Sequence, residues 1–515
     1  RCHQHTGQLS HRRRLTPEQV VIPAAYVRVR GPVVAQEAAK PLTGYIEAMP
    51  DVAAPARLIF RTRIAGSQRT DPPPDLLNAA IFSGSLGHRD LREEGIHYNN
   101  AHHDHANSET SVGHVTLATG AHPAAHGMIG NIWVDRPTGV TTYNIDDADY
   151  RLLTEGANVD ADTEIDPTQK AATSDGRSPT AILTTTFSDE LASLTAGKAK
   201  IFSVSIKDRG AVSMAGHTGK AFWFSKATGE FVTSNYYYDS YPEWVMSWNA
   251  EKHFQRYAGQ SWSLQGGIDD YLFGDADDRP WETDVAGWGR TFPHRYGTVD
   301  NKYYSTFLTL SPAGDELTLD FTKELIVQEG LGEDDATDYL AISFSSTDYI
   351  NHIFGPSSLE TEENQRRLDQ TLAELFHFIE AKVGLKNTLI VLSADHGSPE
   401  VPGYMSGLGI ATAYFEPENL DHQPAIERLK QHFGFGEELI LTYFHPYLYL
   451  NQDLITEKGL SQPEVERAIV AELVNIPGIS LAVSSEALLR GQVPDTWQMA
   501  AVLNNHDPDR SGDIY

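Results

Sequence analysis

Two short apolar runs flank a single amphipathic helix, and this arrangement constrains the fold more than any other feature of the chain. The runs are Tyr339-Leu340-Ala341-Ile342-Ser343-Phe344 and Thr388-Leu389-Ile390-Val391-Leu392-Ser393. Runs of this length and character suit strands buried on both faces of a mostly parallel sheet. Between them, Ser357 and Glu360 read as a capping box after Pro356. Leu368, Leu372, Leu375, Ile379 and Val383 then form one apolar stripe at helical spacing, and Gly384 closes the helix. Further strand-like runs occur at 199–204 and 447–450, and from about residue 96 strands and helices alternate, which is the pattern of an α/β fold. The stretch 210–335 is richer in Trp, Tyr and Gly and has Asp-rich turns. It reads as a cap inserted over the sheet. Residues 1–56 lack sustained periodicity and carry a basic patch, His11-Arg12-Arg13-Arg14, so they read as an atypical N-terminal segment.

Composition narrows the function classes. Hydrophobic residues at 40% and charged residues at 21% are globular values, which exclude a coiled coil or general disorder. The only cysteine is Cys2, so neither a disulfide framework nor a Cys-based zinc site is available. No apolar run is long enough to span a membrane. The net charge is −30, but residues 1–70 hold 11 Lys/Arg against 4 Asp/Glu and carry +7, which leaves −37 on the other 445. An acidic body argues against a nucleic-acid groove. It permits a small phosphate ester, because bound metal ions invert the local sign.

Metal-ligand residue types cluster where predicted strands end. Asp348 and His352 follow the first run, four apart, and meet on one face if the chain turns helical there. Asp395 and His396 follow the second; adjacent residues point apart and suit two metal ions better than one. Both segments open onto one crevice if the strands are parallel. An isolated Asp-x-x-x-His is usually a surface pair, and Asp-His-Gly after a strand is equally weak alone. The combination on consecutive strands is what carries weight. A third segment, Asn107 through Gly120, describes a short helix with Thr110 at its start, where backbone N–H groups favour an anion. The plainer role for Thr110 is an N-cap. Lys207 and Arg209 follow the 199–204 strand, two apart, so an extended segment would aim both cations into the crevice. The alternative is an ion pair with Asp208 or a neighbour.

Taken together these segments resemble the alkaline phosphatase superfamily, in particular its bacterial alkaline phosphatases with a threonine nucleophile, a group akin to type I phosphodiesterases and nucleotide pyrophosphatases. The resemblance is carried by Thr110-Ser111-Val112-Gly113-His114, His126-Gly127-Met128-Ile129-Gly130-Asn131, Ser205-Ile206-Lys207-Asp208-Arg209, Ser346-Thr347-Asp348 through His352, Phe354-Gly355-Pro356 and Ala394-Asp395-His396-Gly397. It runs from about residue 91 to the end. The resemblance implies a three-layer α/β sandwich with an inserted cap, spanning 57–515. It implies a phosphomonoester hydrolase with two Zn²⁺ ions, held by Thr110, Asp348, His352, Asp395 and His396. Thr110 would be the nucleophile, passing through a phosphothreonine intermediate, while Asn131, Lys207 and Arg209 would bind phosphoryl oxygens. Family habit implies a periplasmic or secreted location, although no signal peptide is visible.

The family pattern is broken in two places. The Asp that ends the family's first strand has no counterpart at Gly66 and Ser67; either Asp71 substitutes from a shifted position, or the zinc shared with Thr110 is short of a carboxylate. Near the other end, Asn504-Asn505-His506 through Asp513 resembles a late family motif, but the chain stops at Tyr515 before a last His ligand; the C-terminus reads as incomplete. Two other readings therefore stay open: a pyrophosphatase or phosphodiesterase with the same nucleophile, and a metal-deficient, non-catalytic phosphate binder. His97, His102, His103 and His105 read mainly as a polar loop, and Asp275, Asp277 and Asp278 as a solvated turn.

Overall fold

The computed structural model describes residues 59–62, 91, 95, 96, 98 and 101–515 except 276. The segment 1–56, Asp71 and His97 lie outside these. In chain order the strands are β1 (Ile59–Thr62), β2 (Ile132–Asp135), β3 (Val140–Tyr143), β4 (Ile201–Ser205), β5 (Lys220–Ser225), β6 (Glu230–Val232), β7 (Ser261–Trp262), β8 (His294–Arg295), β9 (Tyr339–Phe344), β10 (Ile440–Phe444) and β11 (Tyr447–Leu450). The central sheet has the order β1-β9-β4-β5-β6. Its first four members run parallel, and β6 returns antiparallel to β5.

Side chains alternate across this sheet and separate two cores. Phe202, Val204, Phe222, Phe224, Leu340, Ile342 and Phe344 pack on one face. Ile201, Tyr339, Ala341, Ala221 and Trp223 face the other. The second face carries helices α1 (Thr110–Thr119) and α2 (Asp208–Ala215) through Ala118, Ala211, Val212, Met214 and Ala215. The first face carries α3 (Pro312–Gln328), α4 (Ser346–Phe354) and α5 (Leu359–Lys382). The result is the expected three-layer α/β sandwich. An aromatic cluster seals the first face: Phe321 stacks on Phe231 at 4.3 Å and meets Phe222 and Trp248 edge-on or tilted. A smaller core gathers α6 (Pro424–Phe433), α7 (Gln462–Leu473), the β10–β11 hairpin and Ile514.

Several sequence expectations change here. The 388–393 run forms no strand. Leu389 and Val391 are exposed, only Ile390 touches the core, and no described strand lies alongside. Apolar composition does not make a strand without a backbone ladder to join. The cap does not fill 210–335: α2, β5 and β6 belong to the sandwich, as does α3, and the stretch between β6 and α3 packs Trp248, Trp262 and Trp288 into the first-face core. The turns in 210–335 suggested an insertion, while the apolar β5 run inside it was overlooked. The long helix holds its stripe, with Leu368, Leu372, Leu375 and Ile379 buried. Its cap is Ser358, which accepts from Thr361 N–H at 3.1 Å, rather than the Ser357–Glu360 box. Ser357 instead donates to Glu400, and Glu360 turns toward the segment between β6 and α3.

There Glu360 Oε1 lies 3.0 Å from His294 Nε2, and both side chains are wholly buried. His294 is enclosed by Trp262, Trp288, Phe292 and Phe354. Burial pushes Glu360 up to about 9 and His294 down to about 4. A carboxyl with a raised folded pKa stabilises fully only below its unfolded value, and that stability drains as pH rises toward the folded value. Above pH 6.5 His294 is neutral in both states, so Glu360 dominates this pair's slope. Glu360→Gln is therefore expected to flatten the fall in unfolding free energy between pH 6.5 and 9, as read by urea denaturation across that range. An unchanged slope would show that Glu360 is ionised in the folded protein.

Candidate active site

Thr110 opens α1 as its first residue and is buried. The cap position is Glu109, in extended geometry and with no side chain closing the helix end, so the N-cap role foreseen for Thr110 belongs to its neighbour. Ser111 donates from both its N–H and its hydroxyl to Asn131 Oδ1, at 3.0 and 3.1 Å. A backbone donor on Oδ1 fixes the orientation of the Asn131 amide and leaves Nδ2 as the donating end. Asn131 N–H donates to Glu109 Oε2 at 2.6 Å. Desolvation pushes the half-buried Glu109 up to about 7, against the pull of Asn131 N–H and the Arg209 charge.

Lys207 and Arg209 do not share an extended strand. Lys207 is the N-cap of α2 and Arg209 lies in its first turn, because Ser205 Oγ accepts Lys207 N–H at 3.0 Å and the chain turns helical there. Both cations are nevertheless buried, and each has a carboxylate. Lys207 Nζ donates to Asp348 and stands 4.1 Å from the Tyr349 ring centroid. Arg209 donates to Asp166 at 2.7 Å and toward the Tyr143 hydroxyl at 3.4 Å, while its buried Nε has no partner. Desolvation alone would raise Asp166, but Arg209 and Lys207 hold its carboxyl well below the usual range. Tyr143 is fixed in turn by Asp208, which also receives Arg177 and Gln169. Asp208 thus pairs with Arg177, not with its sequence neighbours.

Asp348 and His352 meet across one turn of α4, with Nε2 3.2 Å from Oδ1. Asp395 is buried and His396 lies 3.8 Å away. The Asp395 segment packs directly on α1: a Cβ on Gly113 would lie 1.9 Å from the Asp395 carbonyl oxygen. His114 Nδ1 sits 2.8 Å from Thr110 O and 3.2 Å from Asp395 Oδ2. Its Nε2 faces Ser343 Oγ at 3.4 Å; Ser343 contacts Ser345 at 2.9 Å, and Ser345 contacts Ser205 at 3.2 Å. This hydroxyl chain crosses the ends of β9 and β4 and joins the Thr110 side to the Lys207 side. Each of the two Asp–His pairs offers residue types suited to divalent cations such as zinc, but among the described residues no three ligand atoms of these four converge within 4.8 Å. A separate trio, Asp421, His422 and Glu427, brings three ligand atoms within 4.8 Å of one another, but Lys430 already bonds both carboxylates.

Glu109, His114, Asp166 and Tyr349 were not foreseen. Only their proximity in sequence to Thr110 and Asp348 could have flagged three of them, and Asp166 sits in an irregular loop with no such cue. His105 is a buried packing residue beside Thr116. Asp277 accepts from Phe292 N–H and Asp278 pairs with Arg290. In the late motif, Asn505 accepts Asn107 N–H and Arg510 reaches the Gly127 and Ala181 carbonyls, so these residues brace the approach to α1.

Residues 75–515 match the type I phosphodiesterase / nucleotide pyrophosphatase family. The chain belongs to this family. It is 31% identical to alkaline phosphatase PafA of Elizabethkingia meningoseptica, over 84% of this chain and 76% of that protein. Alkaline phosphatase PhoV of Synechococcus elongatus is 32% identical over 84% of this chain and 75% of its own length. The crystal structure of wild-type PafA superposes with a TM-score of 0.77 at 28% identity, covering 90% of this chain and 84% of that one. The fold is alkaline-phosphatase-like. A second PafA structure carries four substitutions, at a Thr, an Asn, a Lys and an Arg.

Gly113 is the point where α1 touches the Asp395 backbone. Gly113→Ala forces the two apart and is expected to destabilise the protein by roughly 2–4 kcal/mol, measured by urea denaturation. A loss below about 0.5 kcal/mol would mean that the contact is loose.

Proposed function

We propose that this chain is an alkaline phosphatase, a hydrolase of phosphate monoesters, with Thr110 as its nucleophile. The reading rests most on one arrangement: a buried hydroxyl at a helix start, with Asn131 fixed beside it and Asp395 packed on the same turn. The substituted Thr and Asn of the PafA variant are twenty-one positions apart, like Thr110 and Asn131, and its Lys and Arg are two apart, like Lys207 and Arg209. Those residue types at those spacings support the same assignment here.

In this mechanism Thr110 gives up its hydroxyl proton as Oγ bonds to phosphorus and the bond to the leaving oxygen breaks; the leaving alkoxide takes up one proton, and the water of the second step returns one to Thr110 Oγ. Water then cleaves the phosphothreonine and releases inorganic phosphate, so one difficult displacement becomes two easier ones. Asn131 Nδ2, Arg209 Nε and the Lys207 ammonium are the donors for the non-bridging oxygens. Asp348 with His352 and Asp395 with His396 would hold two divalent cations, which we take to be zinc. When bound, such ions lower the pKa of the attacking hydroxyl and neutralise charge on attacking and leaving oxygens. The small phosphate ester is the partner. A periplasmic or secreted location fits a phosphate-scavenging role, and no helix among the described residues is long and apolar enough to cross a membrane.

The rival reading is a diesterase. A phosphate monoester presents a dianion, and a diester only one negative charge, so two buried cations at the site favour the monoester. Thr110→Ala is expected to abolish hydrolysis of 4-nitrophenyl phosphate with the circular dichroism spectrum unchanged; near-wild-type rates would remove Thr110 from the chemistry. Replacing Lys207 and Arg209 together should cost monoesters on the order of 10²–10³-fold more than bis(4-nitrophenyl) phosphate, and equal losses would favour the diesterase.

A further inference from the structure

We propose that Tyr349 is a positioning residue for Lys207, using its ring face to hold the ammonium at the phosphoryl site. The inference rests on the phosphatase reading above. Lys207 Nζ lies 4.1 Å from the ring centroid, well within the range of a cation–π contact, and Tyr349 is only 4% exposed. Tyr349 directly follows Asp348, so one turn of α4 supplies both a carboxylate and an aromatic face to the same cation. The ring is itself anchored. Lys226 donates to its hydroxyl at 3.3 Å, lies 4.9 Å from the same centroid and pairs with Glu164 at 2.5 Å. Phe344 and Ile350 on the same strand and helix are fully buried, which leaves the ring little room to turn.

The two anchors of Lys207 differ chemically. A carboxylate neutralises an ammonium, and Asp348 is also assigned to a metal ion. An aromatic face attracts the ammonium through its quadrupole but carries no net charge. In this structure Lys207 also pairs with Asp348; where a metal ion takes that carboxylate, the ring still holds the ammonium in place, and its charge is then available to a phosphoryl dianion. Tyr349 accordingly bears on selectivity for the doubly charged ester.

Graded fluorination at position 349 tests this without a change of shape. Tyr349→Phe is the reference, and mono-, di- and trifluorinated phenylalanines drain the ring face stepwise. Tyr349→Phe keeps the ring face and loses the Lys226 contact at the hydroxyl, so the fluorine series is read against it and not against wild type. Along the fluorine series, inhibition by inorganic phosphate and monoester kcat/KM should weaken progressively, by roughly tenfold overall, while diester hydrolysis changes less. In a Lys207→Ala background the series should be flat. A flat series with Lys207 present, or the same slope without it, overturns the proposal. Failure of the unaltered chain to hydrolyse any monoester would overturn the phosphatase reading and this inference with it, whereas turnover with a flat series overturns this inference alone.

Discussion

Pairing of buried charge governs the architecture around Thr110. Lys207, Arg209 and Arg177 are each almost wholly buried, and a cation removed from water needs an anion and good hydrogen bonds to remain charged. Asp348, Asp166 and Asp208 meet that need. The three carboxylates come from different parts of the chain: the helix after β9, an irregular loop and the start of α2. The ion pairs consequently tie sheet, loop and helix into one geometry. Loss of one partner would strand a buried charge, which costs far more than the pair contributes as a whole.

The sandwich makes this economy of position possible. Parallel strands end at the same sheet edge, so Ser205 and Ser345 emerge side by side from β4 and β9 and bond to each other. The helices that leave those strands then begin at the crevice, and α1 joins them from the second face through His114. Small residues make the approach close enough. Gly113 lets α1 lie on the Asp395 backbone, and Gly210 leaves room for Ser205 and His114, whose atoms would lie 2.8 and 3.2 Å from a Cβ placed there.

Much of this was readable from residues. The 339–344 run became β9 residue for residue, and Thr110 did start a helix, because apolar runs and helix boundaries are local properties. Legibility ended where long-range pairing decides. The 388–393 run looks like a strand in isolation and finds no ladder. The true partners of Lys207 and Arg209 lie 141 and 43 positions away in sequence, so no local rule identifies them. The turn of Lys207 and Arg209 into α2 was also missed, since two charged residues after a strand read equally well as its continuation.

The same charge accounting explains how an acidic protein can serve as an anion site. With Asp348 on Lys207 and Asp166 on Arg209, the cations of the crevice are already balanced, and Glu109 adds a carboxyl poised near neutrality. With both pairs intact a dianionic ester would meet little net attraction from side chains; with Asp348 on a metal ion, Lys207 would be released to add to it. Positive charge must arrive from elsewhere, and the two Asp–His pairs are the groups able to hold it as divalent cations. On this reading the acidic surroundings serve the chemistry. Under the proposed function, carboxylates around the crevice would favour bound divalent cations, and attraction for phosphate would then be local to the site and not spread over a basic surface that would also collect polyanions.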